Sequence, residues 1–211
     1  MNIIISPHYQ NGGEGEKWLP IQNHFIQKYT KEKYQYVPIK IEEGIKHIKA
    51  LKMCLEWLNN HATKGDLILE MDSDAFPISD NWISYVKNLL SEGYEFVAVQ
   101  RLENPHFYKD VAHPCFASWI HGTKIEFDTI NNNPYIVGYE KRKWKPLLRS
   151  NRRDLHRQMF GIYGIDGKRI VYHHGCGSRS FRVSRDPFFI KGVRLNHHFH
   201  RNPELFVKGL I

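Results

Sequence analysis

The 211-residue chain has little cysteine: only Cys54, Cys115 and Cys176. They are far apart, odd in number and form no CxxC pair. That excludes a disulfide framework and implies reduced thiols in a cytoplasmic compartment. No run of about 18 apolar residues occurs, so no membrane span is expected. The opening Met1-Asn2-Ile3-Ile4-Ile5-Ser6-Pro7 lacks a basic segment and a long apolar stretch, so it does not read as a secretory signal. Internal repeats and low-complexity tracts are also missing, which excludes solenoids and arrays.

What is present is ordinary for a globular protein. Hydrophobic residues make up 41% and charged residues 25%, and 13% aromatic content is too much for a disordered chain. The length suits one compact domain with a substantial core. The formal charge is +8, from 30 Lys+Arg against 22 Asp+Glu. Such a balance favours anionic partners, whether nucleic acid, an anionic membrane surface or a phosphorylated small molecule, and charge alone does not choose among them.

Ile3-Ile4-Ile5 is apolar on both faces and suits a buried parallel strand, followed by Ser6-Pro7-His8-Tyr9 and a polar, Gly-bearing loop from Gln10 to Gly15. Helical spacing follows from Trp18 to Tyr29, then a strand from Tyr34 to Ile39. Ile45, Ile48, Leu51, Cys54, Leu55 and Leu58 form one face of a helix predicted over 41–61. Leu67 to Asp72 reads as a central strand, Asn81 to Ser91 as a helix capped by Ser79 or Asp80, and Glu95 to Val99 as the next strand. This β-α-β-α-β-α-β order predicts an α/β fold with a mainly parallel central sheet flanked by helices. Later, Cys115 to Ile120 and Arg169 to His174 read as strands, Asn131 to Pro134 as a turn, the basic 141–153 segment as a loop, and Asp154 to Tyr163 as a helix.

The chemistry concentrates in two places. Glu70, Asp72 and Asp74 fall at alternate positions at the end of the central strand. If strand geometry persists they share one side, and three neighbouring carboxylates need a compensating cation. A hard divalent ion, Mg²⁺ or Mn²⁺, suits such oxygens and leaves positions open for phosphate. The second place is Val171-Tyr172-His173-His174-Gly175-Cys176-Gly177-Ser178-Arg179, a strand running into a Gly-bearing loop. Its histidines are potential metal ligands, its glycines allow close approach to phosphate, and Arg179 can grip a diphosphate bidentately. A zinc site from His173, His174 and Cys176 with His197, His198 or His200 is an alternative, but its spacing matches no common zinc module.

Gly65 to Pro77, built around Asp72-Ser73-Asp74, resembles the Asp-x-Asp region of GT-A-fold glycosyltransferases. His47-Ile48-Lys49-Ala50-Leu51 resembles the helix beneath the donor in that family, and the 173–179 segment resembles its late His-x-Gly-x-x-Ser region. The chain is also similar to the amino-terminal glycosyltransferase domains of chlorella-virus enzymes that decorate capsid glycans. The resemblance implies a GT-A-like single domain, with a nucleotide half over 1–100 and an acceptor half with a metal-closing strand over 101–211. It implies Mn²⁺ or Mg²⁺ held by Asp74 and Asp72, with Asp72 serving the ribose instead in some members, and closed by His173 or His174. It assigns the donor to Ser6, Pro7, Tyr9, Asp72, Ser73 and Arg179, with Tyr9 on the base of a UDP-sugar.

The implied reaction is inverting transfer to a glycan acceptor, a viral capsid glycan among the candidates, in the cytoplasm of the cell or host. An inverting enzyme needs a carboxylate base. Asp154 is the candidate, with Asp110, Glu126 and Asp128 behind it, although Arg152-Arg153-Asp154-Leu155 departs from the family's usual acidic pair. Two other classes compete. A basic nucleic-acid module would use Arg149, Arg152, Arg153 and the aromatic-rich tail, yet no recognised nucleic-acid motif is present. A metal-dependent phosphohydrolase could use the same acids.

Overall fold

A computed structural model describes residues 1–10, 14–42, 44–45, 47–100 and 112–123, together with three later strands at 144–146, 161–163 and 169–173. The elements run β1 (Asn2–Tyr9), α1 (Glu14–Tyr29), β2 (Tyr34–Ile41), α2 (His47–His61), β3 (Leu67–Met71), β4 (Ala75–Pro77), α3 (Trp82–Ser91), β5 (Phe96–Gln100), β6 (Ala112–Ile120), β7 (Trp144–Pro146), β8 (Gly161–Tyr163) and β9 (Arg169–His173).

Six strands form one sheet in the order β2-β1-β3-β6-β5-β7. β1 is parallel to both β2 and β3, as continuous apolar strands joined through helices should be. β6 corrects the expectation of a mainly parallel sheet, because it enters between β3 and β5 antiparallel to both. A parallel crossover takes a dozen or more residues. The link from Arg101 to Val111 falls short of that, and the chain returns in the opposite direction.

Strand alternation divides the core into two layers. Ile4, Leu67, Leu69, Met71 and Val97 pack with Ile26 of α1 and with Trp82, Ile83, Val86 and Leu89 of α3. Ile3, Ile5, Ile68, Phe96 and Ala98 pack on the other face with Leu51, Cys54 and Leu58 of α2. Each buried Ile or Leu contributes about 1.5–3 kcal/mol. Trp82 is fully buried, and its indole N–H donates to Thr30 Oγ1 at 3.2 Å, tying α3 to the end of α1.

A second sheet, β4-β9-β8, is not legible in the hydrophobic pattern. β8 replaces the end of the helix predicted over 154–163, and β7 lies within the basic stretch expected to be a loop. α2 begins at His47 rather than 41, because β2 runs on to Ile41 and Gly44 turns with φ +78°, a conformation that a helix does not use. The cap position of α3 is Asn81, not Ser79 or Asp80, and it makes no side-chain capping bond; the Ser79 hydroxyl donates to Asn81 Oδ1 instead.

Asp66 fastens the start of β3. Its carboxylate accepts from the Met1 ammonium and from Thr63 N–H at 2.8 Å. Those bonds, the Met1 ammonium's first, hold the carboxyl below its ordinary 3.8. A carboxyl that titrates lower when folded stabilises the fold above its unfolded pKa, and the contribution is lost as pH falls through the folded value. Asp66→Asn should therefore lower the urea midpoint at pH 7 and make the acid limb of the stability profile shallower. Midpoints matching wild type at both pH 7 and pH 3 would contradict this.

Candidate metal and donor site

β1, β2 and β3 run in the same direction, so Tyr9, Ile41 and Met71 end at one edge of the sheet. The pairing of β1 with β3 stops at Ile5 opposite Glu70, and β1 continues past it to Tyr9. Ligands in open α/β sheets bind at such carboxyl ends.

The acidic motif is a turn, not a continuation of the strand. Ala75 N–H donates to Asp72 C=O at 2.9 Å, closing a four-residue turn over Asp72-Ser73-Asp74-Ala75. This corrects the expectation that Glu70, Asp72 and Asp74 form one row, since β3 ends at Met71 and alternation stops there. The three acids have different surroundings. Glu70 is fully buried within the sheet, Asp74 is 6% exposed, and Asp72 and Ser73 are half-buried.

Glu70 shares its strand parity with Ile68 and therefore faces α2. Its charge is felt there. Burial pushes the Cys54 thiol up first, and Glu70 and Asp72 push it further. Tyr9 is likewise raised to about 12, by burial and then by Asp72 and Cys54. The Tyr9 phenol is thus neutral at physiological pH and able to stack on a base or donate a hydrogen bond.

The turn is held from α1 by a residue that sequence reasoning passed over. Gln22 is fully buried, and its side-chain NH₂ donates to Asp72 C=O at 2.8 Å and to Ala75 C=O. Its Oε1 accepts from the Tyr36 hydroxyl at 2.7 Å and lies 2.9 Å from His8 Nε2. An amide oxygen only accepts, so His8 carries its proton on Nε2 here. Both donors and both acceptor positions of the amide are used. Phe76, next to the turn, is stacked at 4.4 Å from Phe25 and 6.3 Å from Trp18. Trp18, Gln22 and Phe25 lie on one face of α1, which grips the turn by hydrogen bonds and its flank by aromatic contact. A lone glutamine in an apolar stripe was the available signal.

The other expected residues divide into three groups. Ser6 and Pro7 are buried inside β1, short of the sheet edge, whereas Tyr9 is half-buried at that edge. His173 ends β9, where the antiparallel register sets it opposite Ala75, one residue past Asp74. Asp154, His174 and Arg179 lie outside the described residues, as do Asp110, Glu126, Asp128, Cys176 and the tail histidines.

Among the described residues, no group of three or more His, Cys, Asp or Glu side chains could hold a metal ion. Asp72 and Asp74 still fit a hard ion of the Mg²⁺ type, which binds through one or two carboxylates plus substrate phosphates and keeps waters. Also among the described residues, no helix is long and apolar enough to cross a membrane.

No model of a known protein family matches the sequence, and no curated protein matches it. A solved structure of a mannosyltransferase from Pyrobaculum calidifontis, in complex with GDP-Man and Mn²⁺, is similar at 14% identity and a TM-score of 0.41. The match covers 75% of this chain and 59% of that one, so the chain spans less than two thirds of that structure. So loose a likeness shows no activity for this chain.

Asp72→Asn removes one of the charges that raise Tyr9. The phenol, isolated by subtracting the ultraviolet titration of Tyr9→Phe, should then ionise below about 12 but still above 10, because burial is the larger cause. An unchanged midpoint would separate Tyr9 from the acidic turn.

Proposed function

We propose that this chain is a metal-dependent glycosyltransferase that moves a sugar from a nucleotide-diphosphate donor, a UDP-sugar, to a glycan hydroxyl. The observation that carries the reading is the acidic turn at the carboxyl end of central strand β3, with β9 paired beside it and His173 opposite Ala75. We assign residues 1–100 to the nucleotide and 101–211 to the acceptor within one domain. The acceptor implied by the sequence resemblance is a viral capsid glycan in the host cytoplasm.

Asp74 is the direct ligand of Mn²⁺ or Mg²⁺. Asp72 shares the ion or holds the ribose, and His173, which ends β9, or His174 closes the site. When bound, the ion acts as a Lewis acid that offsets charge on the departing diphosphate. Arg179 adds a bidentate grip on the same phosphates. Ser73 contacts the donor within the turn, and Tyr9 stacks on uracil at the sheet edge. Ser6 and Pro7 support Tyr9 from within β1. Asp154 takes the proton of the acceptor hydroxyl as it attacks the anomeric carbon, which gives inversion.

Melting of the full chain with UDP, Mn²⁺ or both tests the assignment. A hundredfold excess over Kd stabilises a protein by about 2.7 kcal/mol. In a domain of this size that raises Tm by about 5–10 °C. UDP with Mn²⁺ should produce such a shift in wild type and in Asp154→Asn, but not in Asp74→Asn. Asp154→Asn should lose transfer by roughly 10²–10⁴-fold. An equal shift in Asp74→Asn would remove the metal assignment, and normal turnover in Asp154→Asn would remove the base.

A further inference from the structure

We infer that Gln22 is the positioning residue of the acidic turn: its carboxamide, aligned by His8 and Tyr36, holds Asp72 and Asp74 ready for the cation. This rests on the proposed metal site and goes beyond it by naming what gives that site its shape.

The amide bridges the two ends of the turn. One donor meets the carbonyl of Asp72 and the other meets that of Ala75, with Ser73 and Asp74 between them. Because the NH₂ group is planar, the separation of those carbonyls is fixed by a rigid fork rather than by the turn alone. The fork cannot rotate freely, since the opposite end of the same plane accepts from Tyr36 Oη and His8 Nε2. Those two groups are themselves 3.1 Å apart. They stand on β2 and β1, so the shape of the turn is tied to the two neighbouring strands as well as to α1.

Burying a carboxamide on a helix face is costly unless every polar atom is satisfied. An apolar side chain of the same length would serve packing between Trp18 and Phe25 equally well. What only the carboxamide supplies is a double donor at the turn. Outer-shell partners that orient metal ligands in this way are worth about 10- to 100-fold in metal affinity.

The test is Mn²⁺ binding to the full chain, followed by loss of the free-ion paramagnetic resonance signal, with and without UDP. Gln22→Met keeps the volume and removes the fork. It should weaken Mn²⁺ about 10- to 100-fold. Tyr36→Phe removes one of the two groups aligning the amide and should weaken it less. Thr30→Val is the control: it deletes the acceptor of the Trp82 indole, away from the turn, and should lower Tm while leaving Mn²⁺ affinity unchanged. Folded Gln22→Met and Tyr36→Phe proteins that bind Mn²⁺ as wild type does would overturn the inference and leave the metal site standing. Affinity lost equally in Thr30→Val would also overturn it, as mere destabilisation. If Gln22→Met does not fold, Tyr36→Phe against Thr30→Val decides. Wild type that binds no Mn²⁺ even with UDP would remove the metal reading itself, and this inference with it.

Discussion

The double hydrogen bond from Gln22 to the carbonyls of Asp72 and Ala75 is the constraint on which the arrangement of the site depends. Where β3 ends, the chain must leave the sheet, reverse and enter β4, and its backbone polar groups must still be satisfied. The internal Ala75-to-Asp72 bond satisfies one pair. Gln22 of α1 donates to the carbonyls of Asp72 and Ala75, and Phe76 beside Trp18 and Phe25 fastens the exit. The acidic turn, with Asp72 and Ser73 half-buried, is thereby tied to the core.

The same packing sets the electrostatics. Glu70 is fully buried one residue before the strand ends, and the charges of Glu70 and Asp72 reach Cys54, with Asp72 also reaching Tyr9. Negative potential therefore gathers at the carboxyl edge of an otherwise basic protein. Negative potential of that kind suits a cation at this end of the sheet. The wider positive balance of the chain suits anionic partners without determining where they would bind.

Much of the fold was legible because its patterns are local. The apolar run Ile3-Ile4-Ile5, the stripe of α2 and the strand Leu67 to Met71 each announce themselves through period and composition. Strand direction does not, because antiparallel and parallel neighbours read alike along one strand; β6 could not be oriented from its own residues. The late start of α2 turned on Gly44, whose positive φ ends a pattern that periodicity alone would continue. Asp72 and Asp74 were legible as a motif, yet treating them as strand residues with Glu70 missed the turn. Gln22 stood out only as a lone glutamine in an apolar stripe, and a buried glutamine has meaning only once its partners on β1, β2 and the turn are known.

Anomalous diffraction from crystals of the protein grown with Mn²⁺ and UDP is the decisive measurement. A manganese peak is expected within coordinating distance, about 2.0–2.6 Å, of an Asp74 carboxylate oxygen. UDP phosphate oxygens should lie on the same ion, with the Gln22 amide still spanning the carbonyls of Asp72 and Ala75. Manganese bound away from the Asp72–Ala75 turn, or UDP phosphates bound without it, would rule out Asp74 as the metal ligand.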